Sequence, residues 1–240
     1  MAVNFQPLYI LAAGGERAFN QLDVVSNNLA NVDTPGFKKL ILEEMAQRVP
    51  KNPDSAKDLF VFPRFKDTPV ITTQGELQKT DRQLDVAIQG EGYFLVKIKN
   101  KTVLTRNGHF FINQRGTLVD VNGHPVLGEN DKPITINTQN PTNITIASDG
   151  NIYQGRQKVG KLAIKNYESI KPLGNSYYES KSKEKPATYT LLQGFLEGSN
   201  VNPIKSMVEL INAQRRMEIY TSMMKGLDTI EQKTNEIGRV

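Results

Sequence analysis

The chain has 240 residues, a formal net charge of +5 and a hydrophobic fraction of 38%, which allows one large domain or two small ones with a modest core. It contains no cysteine, so disulfides and thiolate metal sites are excluded, and no apolar run is long enough to span a bilayer. Basic and acidic residues are interspersed, so the positive balance permits acidic partners without requiring them.

The first predicted element is an amphipathic helix from about Gln6 to about Ala30. Proline followed by glycine favours a turn, and a residue before proline avoids the α region, so the helix should end before Pro35. The N-terminus also lacks the basic segment and the unbroken apolar core of a cleavable signal peptide. Along the helix, steps of three and four give the 3.5-residue period of a coiled-coil seam. The seam residues are Leu8, Leu11, Gly15, Ala18, Leu22, Val25 and Leu29.

The middle of the chain has a different pattern. Residues 37–80 are predicted to be a connector or extended arm, because they contain several prolines. Over 81–170, short apolar runs alternate with turn signals such as Asn-Gly and Asp-Gly, which predicts an antiparallel β domain. The predicted strands are Leu84–Ile88, Tyr93–Ile98, Thr102–Thr105, His109–Ile112, Thr117–Val121, Ile144–Ile146, Ile152–Tyr153 and Lys158–Ile164. Residues 171–199 are predicted to be a return segment, rich in lysine and serine at its start.

A second long helix is predicted at the C-terminus. Asn202 is a good N-cap, Pro203 suits the first helical position, and the helix could continue to about Ile237. Gly226 is its only internal glycine. Its apolar stripe consists of Ile204, Val208, Ile211, Ile219, Met223, Leu227, Ile230 and Ile237.

These elements predict an α+β fold with a discontinuous helical domain (1–36 and 200–240) around a central antiparallel β domain. An isolated helix is marginally stable, and its apolar stripe needs a packed partner to contribute burial energy. The terminal helices are therefore predicted to form a coiled coil that serves assembly. The alternative is a single α+β domain in which both helices pack on one sheet.

No constellation of residues indicates chemistry. His109 and His124 are the only histidines, and neither has cysteine or acidic residues at ligand spacing, so no metal, cofactor or catalytic residue is predicted. No phosphate-binding glycine loop is present. Lysines alternate at 97, 99 and 101, which would suit a nucleic acid, but such rows are more often a solvated face. An enzyme or a nucleic-acid module is therefore disfavoured.

Four segments carry a family resemblance. Asn27–Lys38 (NNLANVDTPGFK) resembles the N-terminal signature of bacterial flagellar rod and hook proteins. Leu196–Pro203 (LEGSNVNP), with MVELI and QRR further along the last helix, resembles their C-terminal signature. Leu84–Phe94 (LDVAIQGEGYF) and Thr105–Phe110 (TRNGHF) are similar to that family's central β region.

The resemblance implies a structural protein rather than an enzyme. In that family the terminal helices pair into the coiled-coil inner wall of a hollow helical tube, and the β domain forms the outer layer. The subunits leave the cell through the flagellar export apparatus without signal cleavage and polymerise in the periplasmic space. The implied partners are copies of this chain, other rod proteins, adjoining hook subunits and the export apparatus, with no nucleic acid and no membrane span.

The length of 240 residues favours a rod protein over the longer hook subunits. The segment Gln74–Thr80 favours the proximal rod type. The distal type is the alternative, and a secreted adhesin-like β protein is a remoter alternative.

The predicted assembly interface comprises Leu22, Val25, Asn27, Asn28, Leu29, Asn31, Val208, Ile211, Ile219, Met223 and Leu227. The leucines and valines of the first helix are expected to meet the stripe of the last helix, within or between subunits. For the three asparagines, binding to local backbone is as good an explanation as a contact between subunits.

Overall fold

A computed structural model describes residues 6–48, 61–137, 143–180 and 182–237. The chain divides into two compact units. The first, called here the helical unit, comprises Met1–Ala30, Leu40–Thr68 and Asn202–Val240. The second, called the β unit, comprises Asn31–Lys39 and Pro69–Val201. Each unit is therefore discontinuous in sequence.

The helical unit contains the two long helices, α1 (Gln6–Ala30) and α2 (Pro203–Ile237), which agree with the predicted spans. Asn202 caps α2, because its Oδ1 accepts the backbone N–H of Lys205 at 2.9 Å. Helix α1 contacts α2 within this unit. Neither helix has a segment, within its described residues, that is long and apolar enough to cross a membrane.

The helical unit also contains an antiparallel pair of strands, β1 (Glu43–Arg48) and β2 (Val61–Asp67). Both lie within the predicted connector, where prolines argued against regular structure. Pro63 is nevertheless part of β2, opposite Ala46. A sheet of two strands has two edges, and an edge strand tolerates a residue without an N–H. The part of the connector at 49–60 lies outside the described residues.

The β unit consists of short antiparallel strands. They are β3 (Leu77–Lys79), β4 (Val86–Gly90), β5 (Tyr93–Ile98), β6 (Lys101–Thr105), β7 (Phe111–Ile112), β8 (Leu118–Val119), β9 (Ile144–Ile146), β10 (Asn151–Gln154), β11 (Gln157–Lys161), β12 (Ile164–Tyr167), β13 (Lys171–Gly174), β14 (Tyr177–Glu179), β15 (Glu184–Lys185), β16 (Tyr189–Gln193) and β17 (Phe195–Glu197). The main sheet has the order β13-β14-β6-β5-β12-β15. Smaller sheets are β11-β10-β9, β16-β4, β17-β3 and β7-β8.

The core of the β unit lies on both faces of the main sheet, because β5 alternates between them. Phe94 and Val96 belong to the larger apolar cluster, while Tyr93 and Leu95 belong to a second cluster. The ring of Phe94 packs edge-on against Phe110, with 5.1 Å between centroids. A strand buried on both faces has no solvent side, which explains the continuous apolar run in its sequence.

The α+β class with a central antiparallel region is confirmed, and the strands differ in detail from the prediction. The predicted strand Lys158–Ile164 is divided between β11 and β12, which belong to different sheets. The predicted return segment contains strands, among them the hairpin of β13 and β14 at the edge of the main sheet. Its turn residues Asn175 and Ser176 have positive φ, and Tyr177 and Tyr178 are buried. The predicted domain boundaries stay a prediction.

Candidate assembly interface

Helix α1 buries the side that the seam pattern identified. Gly15, Ala18 and Val25 are buried, and Leu11, Leu22 and Leu29 are partly buried. The side chain of Leu8 lies outside the described residues. At the neighbouring Gly14, an added Cβ would lie 2.4 Å from the ring of Tyr220, so glycine is what allows this ring of α2 to approach the α1 backbone.

Helix α2 has two contrasting faces. Among its described side chains, the fully buried ones are small, Ser206 and Ala213, and the large ones are exposed or only partly buried. The apolar residues that are exposed at helical spacing are called here the outer stripe: Ile204, Val208, Ile211, Ile219, Met223 and Ile230. Their exposure ranges from 48% for Ile211 to 75% for Ile204. Small residues are therefore covered within the chain, and large apolar residues remain at the surface.

The structure separates the predicted interface residues into two groups. Leu22, Val25 and Leu29 are covered to different degrees within the helical unit. Four predicted residues of α2 belong to the outer stripe and are about half exposed in the single chain: Val208, Ile211, Ile219 and Met223. Leu227 is partly buried. Contacts of the outer stripe with a neighbouring subunit stay a prediction.

The three predicted asparagines differ in their surroundings. Asn28 is 1% exposed, and its side-chain amide forms two hydrogen bonds with the backbone of Leu40, both of 2.8 Å. Asn31 accepts a hydrogen bond from the Thr34 hydroxyl at 3.2 Å, which stabilises the turn after α1. Asn27 is exposed. Asn28 thus has a local structural role within the helical unit.

Segments of the N-terminal, central and C-terminal signatures meet in the β unit at a buried ion cluster, formed by Lys38, Arg106 and Glu197. The Lys38 ammonium lies 2.5 Å from Oε1 of Glu197, and both side chains are fully buried. The Arg106 guanidinium donates to Oε2 of the same carboxylate at 3.1 Å. The backbone N–H of Gly75 also donates to Oε1, at 2.9 Å. One carboxylate thus binds three separate chain segments.

The cluster contains two cations and one anion, so other groups must stabilise the excess positive charge. Lys38 donates to the carbonyl of Thr73 at 2.7 Å, and Arg106 donates to the carbonyl of Gly90 at 2.7 Å. The guanidinium also lies over the Tyr93 ring, 5.1 Å from its centroid. Burial lowers the pKa of Lys38, against the opposing attraction of Glu197, and repulsion from Arg106 lowers it further.

Backbone bonds around the cluster extend this connection. The N–H of Gly36 donates to the carbonyl of Glu197 at 2.7 Å, and the N–H of Lys38 donates to the Tyr178 hydroxyl at 2.9 Å. Asn200 accepts the N–H of Lys39 at 2.6 Å and donates to the carbonyl of Ile71 at 2.9 Å. These contacts could not be predicted from the sequence, because no local pattern pairs Lys38 with a carboxylate 159 residues away.

Replacing Tyr178 by Phe is expected to change how stability depends on pH. Burial raises the pKa of the Tyr178 hydroxyl, so it stays protonated in the folded chain when it ionises in the unfolded chain near pH 10. Its stabilising contribution is full below pH 10 and is lost as the pH rises further. At pH 7 Tyr178→Phe should lower the free energy of unfolding by about 1–3 kcal/mol, because the buried Lys38 N–H loses its acceptor. Denaturant titrations at pH 7 and 10.5 should show this deficit shrinking, and an equal deficit at both values would contradict the assignment.

Both histidines lie beside a carboxylate that the sequence spacing did not indicate. His109 Nδ1 lies 2.8 Å from Asp85, and its Nε2 lies 2.6 Å from the Arg82 guanidinium. His124 lies 3.5 Å from Asp120, whose other oxygen accepts two backbone N–H groups in the predicted Asn-Gly turn. Among the described residues, no group of three or more histidine or acidic side chains could hold a metal ion.

Comparison with known proteins gives matches along most of the chain. Residues 8–38 match the family described as "Flagella basal body rod protein", and residues 192–237 match "Flagellar basal body rod FlgEFG protein C-terminal". Residues 87–154 match "Flagellar hook protein FlgE/F/G D1 domain". These ranges include most of the segments that carry the resemblance and both residues of the Lys38–Glu197 pair.

Proteins that are similar to this chain over most of its length are also flagellar basal-body rod proteins. The chain is 33% identical over 261 residues to the flagellar basal-body rod protein FlgG of Buchnera aphidicola subsp. Acyrthosiphon pisum, with 96% of this chain and 98% of that protein covered. It is 31% identical over 227 residues to the flagellar basal-body rod protein FlgF of Mesorhizobium japonicum, with 91% of each chain covered. It is 34% identical over 215 residues to the FlgF protein of Caulobacter vibrioides, with 85% and 86% covered.

Proposed function

This chain belongs to the flagellar basal-body rod protein family, and we propose that it polymerises into a hollow helical rod that transmits torque from the flagellar motor to the hook. The family is structural, and the proposed role is mechanical rather than catalytic. The subunit would be exported through the flagellar type III apparatus without signal cleavage and would assemble in the periplasm. Its neighbours would be copies of itself, other rod proteins and adjoining hook subunits.

The outer stripe of α2 is the observation that carries this proposal. Its six large apolar side chains are about half exposed or more in the single chain, and Met207 beside them is 52% exposed. Burying a fully exposed side chain of this size contributes roughly 1.5–3 kcal/mol, so covering the remaining half contributes about half of that for each residue. Contiguous apolar patches on soluble chains commonly mark interaction surfaces. Phe19 and Ile10 on α1 are also exposed, at 58% and 49%. Exposed apolar residues on both helices suit a subunit whose helices meet several neighbours in a coiled-coil inner wall.

Among rod proteins, we favour the proximal type. The length of the chain and the segment Gln74–Thr80 support it. Gln74 has a defined place in the β unit, where its side chain bonds the backbone of Ile88 at 2.9 Å and of Gly90 at 3.2 Å. The distal type is the second candidate, because alignment with the Buchnera FlgG protein covers 98% of that relative, against 91% for the Mesorhizobium FlgF protein.

Deletion of the gene followed by electron microscopy of purified basal bodies tests the proposal. Without the chain, rods should be shorter or absent and hooks should be missing, and re-expression should restore both. Immunogold labelling of the restored rods then separates the two types, since a proximal subunit lies at the motor side and a distal subunit at the hook side. Full-length rods with hooks in the deletion strain would overturn the proposal.

A further inference from the structure

The buried ion cluster joins chain segments that lie far apart in sequence. Lys38 follows α1 by eight residues, and Glu197 precedes α2 by six. Glu197 also holds Gly75 through its backbone N–H and Arg106 through its guanidinium. The segment that leaves α1 and the segment that leads to α2 are thereby fixed to the same place within the β unit.

Stability alone is a poor explanation for such a cluster. Removing two charges from water is costly, and replacing a buried ion pair by uncharged groups of similar size is often neutral for stability. In some proteins buried ionic groups specify one arrangement of the chain, and each additional hydrogen bond restricts the geometry that the partners of an ion pair can take. The Lys38 ammonium and the Glu197 carboxylate both have such hydrogen bonds, because each also bonds backbone of the 73–75 segment.

Close backbone contacts make this arrangement more restrictive. A Cβ at Gly75 would lie 2.1 Å from the carbonyl oxygen of Gly198, and a Cβ at Gly36 would lie 2.4 Å from the backbone of Arg106 and Asn107. The segment at Gly75 therefore touches the backbone of the segment before α2, and the segment at Gly36 touches the backbone of Arg106 and Asn107. A shift of one residue in the segment after α1, or in the segment before α2, would break the bonds between Glu197 and its partners Lys38 and Gly75.

We propose that Glu197 is a positioning residue, which holds the segments after α1 and before α2 in one register on the β unit, and that rod incorporation needs this fixed geometry rather than the stability that the cluster adds. The inference rests on the proposed function for its assembly readout. Its structural part concerns only the β unit and stands independently.

The test uses a charge-balanced double variant of the full chain, Lys38→Met with Glu197→Gln. Lys38, Arg106 and Glu197 carry a net charge of +1, and the double variant removes one positive and one negative charge, so the net charge stays +1. We expect Glu197→Gln alone to unfold at a lower denaturant concentration, because it leaves the buried cations of Lys38 and Arg106 without an anion. Lys38→Met alone should be milder, because Arg106 still pairs with Glu197. The double variant should recover part of the loss of Glu197→Gln, because it removes one of the two cations, while Arg106 keeps its bonds to the carbonyls of Ile88 and Gly90.

The position of the segment after α1 within the β unit is measured with pairs of spin labels, both in the otherwise native chain and in the double variant. The chain has no cysteine, so single cysteines can be introduced at Asp33 and Lys158, which are both exposed residues of the β unit. We expect a narrow distance distribution for the otherwise native chain and a broad one for the double variant. We also expect the double variant to incorporate into rods at least tenfold less well. Ile152→Val, a core change remote from the cluster in sequence, is the stability control and should incorporate normally.

The outcomes separate the alternatives. A double variant with a narrow distribution and normal incorporation would overturn the proposal. So would a double variant whose β unit is unfolded, because the cluster would then be a stability element. If the native chain itself fails to enter rods, the proposed function fails, while the distance measurement still decides whether Glu197 positions the segment after α1.

Discussion

Replacing Ile211 by Asp is expected to abolish rod assembly and swimming while the β unit stays folded. Ile211 lies in the outer stripe and is 48% exposed in the single chain, so a carboxylate there remains hydrated before assembly. In a packed interface the same carboxylate would lose its water without gaining a partner, which costs several kcal/mol in each subunit. A rod repeats this cost at every contact. Swimming assays and electron microscopy of basal bodies measure the effect.

Asn212→Asp is the matched control for this prediction. It adds the same negative charge to the same helix, one residue along and off the outer stripe, at another exposed position. We expect near-normal swimming from it. An equal loss of swimming in Ile211→Asp and Asn212→Asp would show that rod assembly is impaired by negative charge anywhere on this part of α2, and not by a charge within the outer stripe. Leu29→Asp should also prevent assembly, but Leu29 is partly buried within the helical unit, so its effect would include a loss of subunit stability.

Periodicity predicted the helices but not which face of α2 is covered. A stripe of large apolar residues stands out in sequence, whereas Ser206 and Ala213, the buried residues among the described side chains of α2, are too small to register as hydrophobic. Small residues allow helices to approach closely, as Gly14 allows the Tyr220 ring to approach α1. The sequence could therefore identify the apolar surface of α2, while the covered face depended on packing that only the folded chain contains.

The strands were predictable where local turn chemistry defined them. Asn107-Gly108 and Asp149-Gly150 precede strands that the structure contains. The pair β1 and β2 was hidden by its prolines, and the hairpin of β13 and β14 by its polar composition. No local sequence pattern could have indicated the buried ion cluster either. A lysine is normally predicted to lie at the surface, and the partner that allows Lys38 to be buried, Glu197, lies near the other end of the chain.

Replacing Gly36 by Ala is expected to lower the free energy of unfolding of the β unit by about 3 kcal/mol or more. Gly36 has φ of +70°, which costs a residue with a side chain about 1 kcal/mol. The new methyl group would also lie 2.4 Å from backbone atoms of Arg106 and Asn107, which no rotamer change can relieve. Shifting that backbone would disturb the Arg106 contact with Glu197. Denaturant unfolding followed by tyrosine fluorescence measures the loss.

Gly123→Ala separates the two contributions. Gly123 has a similar φ of +80°, but no atom lies within 4 Å of an added Cβ. Gly123→Ala should therefore lower the free energy of unfolding only by the cost of the positive φ, about 1 kcal/mol. If Gly36→Ala lowers the free energy of unfolding no more than Gly123→Ala does, the backbone contact between Gly36 and Arg106 is not tight in solution. A larger loss at Gly36 would mean that the glycine of the N-terminal signature is needed because it lets that segment touch the backbone beside the buried ion cluster.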